Sequence, residues 1–275
     1  MFITIVGLGL IGGSLAKAIK KYTTHTVAGV NRSESAIKEA LAVGAIDLAG
    51  DTDTLKQSDL VIVGLYPRET MEYIKNNREH FKKGAIVIDA CGTKSQLCAE
   101  LVPLAKESGF VFIGTHPMAG KEKGGFANSD ADLYQNASFI ITPDGAPEEA
   151  VQTVEALATA LKFGRVVRTT PTEHDNIIAY TSQLPHVLAC AYIKDPVSEK
   201  HAGFSAGSFR DVSRVATINA EMWSQLFIDN KDALASHIRV LMKHLSQLEQ
   251  AIAAADKNEI ERLLDEGCKI KERIG

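Results

Sequence analysis

An imidazole stands between an apolar run and a glycine-rich loop in the middle of the chain. The segment FIGTHPMAGKEKGG (112–125) places His116 directly before a proline. A histidine at the tip of a buried strand can accept a proton from a substrate hydroxyl group near neutral pH. A purely structural histidine would fit this segment equally well, so other parts of the sequence must decide between the two interpretations.

A glycine motif near the start of the chain is typical of dinucleotide binding. The segment VGLGLIGGS (6–14) matches the pattern G-x-G-x-x-G, follows an apolar run and opens a helical pattern. The first glycine permits a tight turn, the second admits a pyrophosphate, and the third lets the helix pack on the strand. The helix N-terminus then faces the anion. The predicted cofactor-binding residues of this loop are Gly7, Gly9, Leu10, Ile11 and Gly12.

The residues after the second apolar run bear on which dinucleotide is bound. An Asp or Glu here would bind the ribose 2′-hydroxyl of NAD, but the chain has Asn31, Arg32 and Ser33. An arginine with neighbouring hydroxyl and amide groups can hold a 2′-phosphate, which favours NADP. NAD stays open if Asn31 binds the ribose hydroxyls and Arg32 stacks on the adenine. Tyr66 and Pro67, after a later strand, are also predicted to bind the cofactor.

The elements that must position these residues are short apolar runs alternating with helical patterns. The runs are mostly continuous, which indicates strands buried on both faces of a parallel sheet. The predicted strands are FITIVG (2–7), TVAGV (26–30), LVIVGL (60–65), AIVIDA (85–90), FVFIG (110–114) and SFIITP (138–143), with a further strand in GRVVRTTP (164–171). The predicted helices lie near 11–21, 34–43, 68–77, 95–107 and 147–162.

The pattern changes after Pro171, where helical stripes replace strand-like runs. One apolar stripe extends from Leu234 to Ile252. We therefore predict a Rossmann-type α/β domain with a mostly parallel sheet at 1–170, followed by an all-α substrate and dimerisation domain at 171–275. Long amphipathic helices can bury their stripe against a second copy, so we expect a homodimer, although an intramolecular bundle gives the same stripe.

Composition narrows the classes of function. The 275 residues carry a net charge of −4 and a pI near 6.1, which gives no electrostatic reason to expect binding to nucleic acid or a membrane surface. No apolar stretch reaches about 18 residues, so we expect no membrane span. The four cysteines lack metal spacing and fit free thiols. We predict a cytoplasmic protein without a metal site.

Three predicted strand ends should meet at one edge of the sheet. In a doubly wound sheet, ligands bind beyond the carboxyl ends of the strands. His116, YPR (66–68) and DACGTK (89–94) all follow such ends. His116 could there take a hydroxyl proton from a substrate as a hydride leaves for nicotinamide.

Four segments together resemble the prephenate/arogenate dehydrogenase family of tyrosine biosynthesis. They are VGLGLIGGSLA (6–16), HPMAG (116–120) with Glu122 and Gly125 following, SQLPH (182–186) and GSFRDVSR (207–214). Their order and spacing also match, and the resemblance covers essentially the whole chain. We expect the minimal two-domain form of the family.

The resemblance implies oxidative decarboxylation of prephenate to 4-hydroxyphenylpyruvate with NAD or NADP. Hydride would leave C4 of the cyclohexadienol, carbon dioxide would depart, and the ring would become aromatic. His116 matches the family's catalytic histidine, Arg214 its carboxylate-binding arginine, and His186 a second active-site histidine. The further predicted substrate-binding residues are Ser182, Gln183, Lys121 and Thr93.

Three positions depart from the family's pattern. Gly92 stands where a serine usually lies near the nicotinamide and the catalytic histidine. Thr93, Cys91 or a water would have to substitute for it, or the histidine would be less well positioned. Gln183 replaces a common histidine, and Lys121 replaces a common hydroxyl residue and adds a cation near an anionic substrate.

Structural alternatives exist for three of the candidate groups. Arg214 could form an ion pair within its own helix, and His186 could cap or kink a helix. His174 is interpreted as part of a helix start, with Thr172 as the N-cap and Asp175 completing a capping box.

Three other functions stay open. Arogenate differs from prephenate in its side chain alone, and the residues that distinguish the two substrates cannot be recognised in the sequence. A β-hydroxyacid or imine reductase is disfavoured, because SQLPH (182–186) stands where those enzymes use a lysine. A non-catalytic NADP-binding sensor is conceivable because the usual serine is missing.

Overall fold

A computed structural model describes residues 1–121 and 123–275, so Glu122, which follows the HPMAG segment, lies outside the described residues. The strands of the described residues are β1 (Phe2–Val6), β2 (Thr26–Val30), β3 (Leu48–Ala49), β4 (Leu60–Val63), β5 (Ile86–Asp89), β6 (Val111–Pro117), β7 (Ser138–Thr142) and β8 (Arg165–Arg168). The α-helices are α1 (Leu10–Tyr22), α2 (Glu34–Ala42), α3 (Thr52–Gln57), α4 (Pro67–Asn77), α5 (Ser95–Ser108), α6 (Glu148–Ala160), α7 (Pro171–Ile178), α8 (Leu184–Tyr192), α9 (Gly207–Ser213), α10 (Ala220–Asp229), α11 (Lys231–Ala253) and α12 (Lys257–Ile274).

The strands of the described residues form one sheet in the order β3-β2-β1-β4-β5-β6-β7-β8. Neighbouring strands are parallel except β6 and β7, which are antiparallel. The run LVIV of β4 is buried at every position, as expected for a strand covered by helices on both faces. The predicted fold class, a Rossmann-type domain with a mostly parallel sheet followed by helices, is confirmed.

Strand β6 is longer than the sequence predicts and contains His116. Its first half pairs in parallel with β5, and its second half pairs antiparallel with β7, where His116 lies opposite Ile140. Hydropathy gives no sign of this second half, because the apolar run ends at Gly114. The backbone of His116 is therefore held within a sheet rather than at the start of a loop.

The helical half begins earlier than its predicted cap. The side chain of Thr170 accepts a hydrogen bond from the amide of Glu173, and Pro171 takes the first helical position. The predicted capping box of Thr172 and Asp175 is therefore wrong, since the N-cap is Thr170, two residues before Thr172. Asp175 instead lies within α7 and is buried.

The helices after β8 pack around a small apolar cluster. Leu234 of α11 lies in this cluster with Ala179 and Leu184, and Ile238 and Leu241 pack against it. None of the helices in the described ranges has the length and apolar character needed to cross a membrane.

Candidate active site

The loop between β1 and α1 has the shape that a dinucleotide requires. Gly7 has φ +90°, and a Cβ there would lie 2.6 Å from the carbonyl oxygen of Gly64. A Cβ on Gly12 would lie 2.0 Å from the carbonyl oxygen of Gly7, whereas one on Gly9 would meet no described atom within 4 Å. No described side chain caps α1, which begins at Leu10. The residues present therefore fit a pyrophosphate at this helix N-terminus.

The end of β2 is tied to this loop by Asn31. Its Oδ1 accepts from the amide of Leu8 at 3.0 Å, and its Nδ2 donates to the carbonyl oxygen of Ser33 at 3.3 Å. Ser33 is the N-cap of α2, and its hydroxyl lies 2.7 Å from that of Ser35. Arg32 is exposed beside these hydroxyls, so a cation and two hydroxyl groups occur together at the surface.

His116, His174 and Asp175 form a hydrogen-bonded row from β6 into α7. Nδ1 of His116 lies 3.0 Å from Nε2 of His174, and Nδ1 of His174 lies 2.7 Å from Oδ1 of Asp175. The two carboxylate oxygens of Asp175 also accept from the main-chain amides of Lys94 and Ser95, each at 2.8 Å. His116 is half-buried, and the other two members of the row are buried. The row joins the sheet half of the chain to the helical half.

A buried ion pair lies beside this row. Nζ of Lys94 contacts Oδ2 of Asp89, and both side chains are fully buried. Asp89 also accepts from the main-chain amides of Cys91 at 2.8 Å and Thr115 at 3.0 Å. Because Thr115 directly precedes His116, the pair fixes the end of β5 against the part of β6 that carries the imidazole.

The protonation of the row follows from its surroundings. Burial lowers the pKa of His116 well below its ordinary value of 6.5, and His174 and Lys94 act in the same direction. Burial likewise lowers the pKa of His174, against the effect of the hydrogen bond that His174 donates to Asp175, which raises it. Burial alone would raise the pKa of Asp175, but its hydrogen bonds from His174, Ser95 and Lys94 lower it. Both imidazoles are therefore neutral and Asp175 is ionised at neutral pH, which suits general-base chemistry.

Comparison with known families is consistent with this geometry. Residues 15–168 match the family model for the nucleotide-binding domain of prephenate dehydrogenase, and residues 170–266 match the model for its dimerization domain. The chain belongs to the prephenate dehydrogenase family. The resemblance inferred from the four sequence segments is confirmed, and so is the prediction of an NAD(P)-dependent oxidoreductase.

Individual relatives cover the whole chain. A prephenate dehydrogenase of Lactococcus lactis is 30% identical over 99% of this chain and 77% of its own length. The crystal structure of Synechocystis arogenate dehydrogenase is 27% identical, with a TM-score of 0.84 over 100% of both chains. The structure of Aquifex aeolicus prephenate dehydrogenase with hydroxyphenyl propionate and NAD+ is 26% identical, with a TM-score of 0.85 over 100% of this chain and 99% of that one. Relatives named arogenate dehydrogenase and relatives named prephenate dehydrogenase thus share this fold.

Gly92, the position where the resemblance implies a serine, lies against an apolar side chain. A Cβ on Gly92 would lie 3.2 Å from Cδ2 of Leu226 in α10 and 4.0 Å from Cε1 of His116. The side chain of Leu226 thus crowds the space next to the imidazole into which a serine would project. This part of the site is apolar.

The two residues expected to replace the missing serine contact other parts of the fold. Sγ of Cys91 lies 3.4 Å from Oγ1 of Thr70, and burial raises its pKa. Thr93 lines a cleft between α4, α5 and α10, which Pro67 also lines. A substrate-binding role for Thr93 stays a prediction.

His186 lies on the helical side of the site. Its Nδ1 donates to the carbonyl oxygen of Ser182 at 2.9 Å, and its ring stacks on Trp223 with centroids 3.8 Å apart. Trp223 lies one turn of α10 before Leu226, the residue that covers Gly92. His186 is therefore attached to the same helix face that borders His116.

Gln183 and Lys121 have protein partners in the structure. The buried side chain of Gln183 donates to the carbonyl oxygen of Leu226 at 3.1 Å and accepts from Nδ2 of Asn230 at 2.9 Å. Lys121 forms an ion pair with Asp130 at 3.2 Å. These contacts favour structural roles, and substrate contact by either residue stays a prediction.

Tyr66 lies at a second contact between the two halves of the chain, and Arg214 lies within the helical half. Arg214 is exposed at the start of a short turn, Arg214–Ala216, that follows α9 and packs against α8. Asn219, the N-cap of α10, donates from Nδ2 to the hydroxyl of Tyr66 at 3.4 Å. Tyr66 is in turn the N-cap residue of α4. The ligands of Arg214 and Tyr66 stay predictions.

His174 and Asp175 are candidate functional residues that sequence reasoning assigned to a helix cap. Their signal in the sequence is an adjacent His-Asp pair just inside the first helix after the sheet. That pattern is easily taken for local cap chemistry, because the partners of both side chains lie far away in the sequence.

Proposed function

We propose that the chain catalyses the NAD(P)-dependent oxidative decarboxylation of prephenate to 4-hydroxyphenylpyruvate in tyrosine biosynthesis. The observation that carries this proposal is the hydrogen-bonded row, which leaves Nε2 of His116 as a neutral acceptor next to a dinucleotide-binding loop. A cyclohexadienol needs such an acceptor for its hydroxyl proton.

His116 holds the substrate's proton while the other bonds change. The 4-hydroxyl proton would pass to Nε2 of His116 as the C4–H bond breaks. The hydride acceptor for that step would be the nicotinamide of a dinucleotide held by the glycine loop. The ring carboxylate then leaves as carbon dioxide, and its bonding electrons complete the aromatic ring. His116 returns its proton to the phenol oxygen. The prephenate dianion and NAD(P)+ thus give the 4-hydroxyphenylpyruvate anion, carbon dioxide and NAD(P)H with no net proton released.

The helical half would hold the substrate. We assign Arg214 to a substrate carboxylate, because a planar guanidinium can donate two parallel hydrogen bonds to it. His186 and Ser182, on the face that borders Leu226, would contact the side chain of the substrate. In this scheme residues 1–170 bind the dinucleotide and residues 171–275 bind the substrate.

NADP is the proposed preferred cofactor. The glycine loop would hold the pyrophosphate, while Arg32, Ser33 and Asn31 would hold the adenosine ribose and its 2′-phosphate. Arg32→Ala should then lower kcat/KM with NADP by about tenfold, the effect of one charge-assisted hydrogen bond. The value with NAD serves as the internal control, and equal losses with both cofactors would contradict the preference.

A homodimer through the C-terminal helices is part of the proposal. The stripe of α11 that is covered at Leu234 and Leu241 continues through Leu245 and Ile252, which are 49% and 63% exposed. On α12, Leu264 is 59% exposed. The match of this half to a dimerization-domain model supports a second copy as the cover. The cytoplasmic location stays a prediction.

The decisive experiment supplies prephenate or arogenate with NAD or NADP and follows the absorbance of the reduced nicotinamide. We expect turnover with prephenate and a higher kcat/KM with NADP than with NAD. A higher kcat/KM with arogenate would select the second candidate, which the likeness to Synechocystis arogenate dehydrogenase supports. No turnover with either substrate, alongside measurable cofactor binding, would contradict both and favour a sensor.

A further inference from the structure

We propose that His174 and Asp175 are positioning residues that hold His116 in the tautomer able to accept the substrate's proton. This inference rests on the proposed function and deepens it, because it states how the base is kept ready. The proposal is based on the hydrogen bonds that link Asp175, His174 and His116. The donor and the acceptor of each bond can be assigned by starting from Asp175.

The assignment starts at Asp175, whose ionised carboxylate accepts hydrogen bonds and cannot donate them. Its Oδ1 lies 2.7 Å from Nδ1 of His174, so His174 carries its proton on Nδ1. Neutral His174 then presents a lone pair on Nε2, which lies 3.0 Å from Nδ1 of His116. His116 must donate at that point, which leaves its own Nε2 as the proton acceptor.

The carboxylate that sets this order is anchored by α5. The main-chain amides of Lys94 and Ser95 each donate to Asp175 at 2.8 Å, at the start of a helix of 14 residues. The positive end of that helix dipole stabilises the ionised carboxylate. Asn230 donates from Nδ2 to the main-chain oxygen of Asp175 at 2.8 Å. Rotation of the carboxylate would break its hydrogen bonds from the amides of Lys94 and Ser95, so the fold sets the tautomers of both imidazoles.

The charged groups around His116 come from three elements. Lys94 lies at the start of α5 and Asp89 at the end of β5, and the two form the buried ion pair. Burial would lower the pKa of Lys94, but Asp89 raises it, so the pair stays charged and nearly neutral overall. The remaining charge is that of Asp175 on α7. The positive charge that His116 gains with the substrate proton is therefore balanced by Asp175 through His174.

The position of Gly92 makes this support necessary. A serine there could also orient the imidazole, but Gly92 has no side chain and Leu226 crowds the space above it. Within the described residues, the side chain of His174 is the hydrogen-bond partner of the His116 ring. The orientation of His116 therefore depends on the row rather than on the loop that follows β5.

Asp175→Asn tests the tautomer through turnover. With its oxygen on the amide of Ser95, the Asn side chain places its NH2 group at the Oδ1 position, where it donates to Nδ1 of His174 and loses the hydrogen bond from the amide of Lys94. Both imidazoles would then reverse, and Nε2 of His116 would carry a proton. We expect kcat to fall roughly 10²–10⁴-fold, with KM values changed less than about threefold.

A matched pair at position 174 separates positioning from packing. His174→Leu removes the acceptor for Nδ1 of His116 at similar volume, whereas His174→Gln keeps a carbonyl oxygen there. We expect kcat of the Leu variant to lie at least about tenfold below that of the Gln variant, at similar thermal stability. Equal kcat values in the two variants would overturn the proposal.

Nitrogen NMR of histidine-labelled protein gives a readout that needs no turnover and no variant of Asp175. The wild-type spectrum should show a protonated Nδ1 and an unprotonated Nε2 for His116, assigned by the signals lost in His116→Asn. A wild-type His116 protonated on Nε2 would overturn the proposal. Wild-type protein that turns over neither substrate would instead overturn the proposed function, and the spectrum would still decide the tautomer.

Discussion

The sheet half and the helical half of the chain complete their apolar surfaces in different ways. In the sheet half, Leu15, Ala16 and Ile19 of α1 are at most 3% exposed, because the helix lies flat on the strands. In the helical half, the stripe of α11 is covered at Leu234 and 63% exposed at Ile252. The sheet half is therefore closed within one chain, whereas the helical half leaves a face that suits a second copy.

The same contrast extends to the site. Main-chain pairing with β5 and β7 fixes the position of His116. The helical half instead contributes through side chains, with His174 and Asp175 orienting the imidazole and Arg214 proposed to bind the substrate. Substitutions in the two halves should therefore impair different kinetic constants.

The largest effect is expected for His116→Asn in the sheet half. Loss of the proton acceptor should lower kcat roughly 10²–10⁴-fold and leave cofactor affinity nearly unchanged, because the glycine loop is intact. Steady-state kinetics and a cofactor titration measure the two quantities. His201→Asn, at an exposed histidine of the helical half, is the matched control. A His116 variant with kcat within threefold of wild type would remove His116 from the chemistry.

Arg214→Ala in the helical half should impair binding rather than chemistry. The loss of a charge-assisted pair with a carboxylate corresponds to about 1.5–3 kcal/mol, so KM for the substrate should rise roughly 10- to 150-fold. The expected change in kcat is smaller. Arg210→Ala, at an exposed arginine on α9, is the control for lost positive charge. An unchanged KM would show that Arg214 does not contact the substrate.

The contrast between the halves also explains what could be predicted from the sequence. Strands such as β1 and β4 are continuous apolar runs, and the stripe of α11 repeats with helical period, so local patterns identified them. The two-residue strand β3 and the short helix α3 carry too few residues for such a pattern. The second half of β6 was missed because β7, which pairs with it, lies beyond a loop.

The site was predictable where motifs are local and not where partners are distant. His116 and the glycine loop lie in compact motifs, and the resemblance to the family led to both. Asp175 was misassigned because its partners, the amides of Lys94 and Ser95, lie 81 and 80 residues away in the sequence. The approach of Leu226 to Gly92 is likewise a tertiary contact, invisible in either segment.

Ile252→Glu tests whether the exposed stripe of α11 is buried against a second copy of the chain. A carboxylate on this face would be buried without a partner in a dimer, so we expect sedimentation analysis to show a shift toward monomer. Val240→Glu is the matched control, because Val240 is 51% exposed and lies about 120° around the axis of α11 from Ile252. An Ile252 variant with the wild-type sedimentation coefficient would show that the stripe lies outside the dimer interface.

The smallest expected effect concerns the hydrogen-bonded row between β6 and α7, which should make the free energy of unfolding sensitive to acid. The folded chain lowers the pKa of His116 and His174 below 6.5, so the unfolded chain binds protons more readily. The contribution of these two histidines to the free energy of unfolding is therefore fully present above about pH 6.5. It falls as the pH drops below that value, by at most about 1.4 kcal/mol per pH unit for each histidine. The lowered pKa of Asp175 acts in a lower window, because its contribution is lost as the pH falls below 3.8.

Urea unfolding at fixed protein concentration between about pH 7 and pH 5 measures this slope. His174→Gln should reduce the slope by removing one of the two buried titrations, whereas His201→Gln, at an exposed histidine, should leave it unchanged. Stability that stays flat or rises as the pH falls through this range would contradict the neutral, buried row. Since the row spans β6 and α7, a reduced slope in His174→Gln would also tie the acid sensitivity to the contact between the two halves.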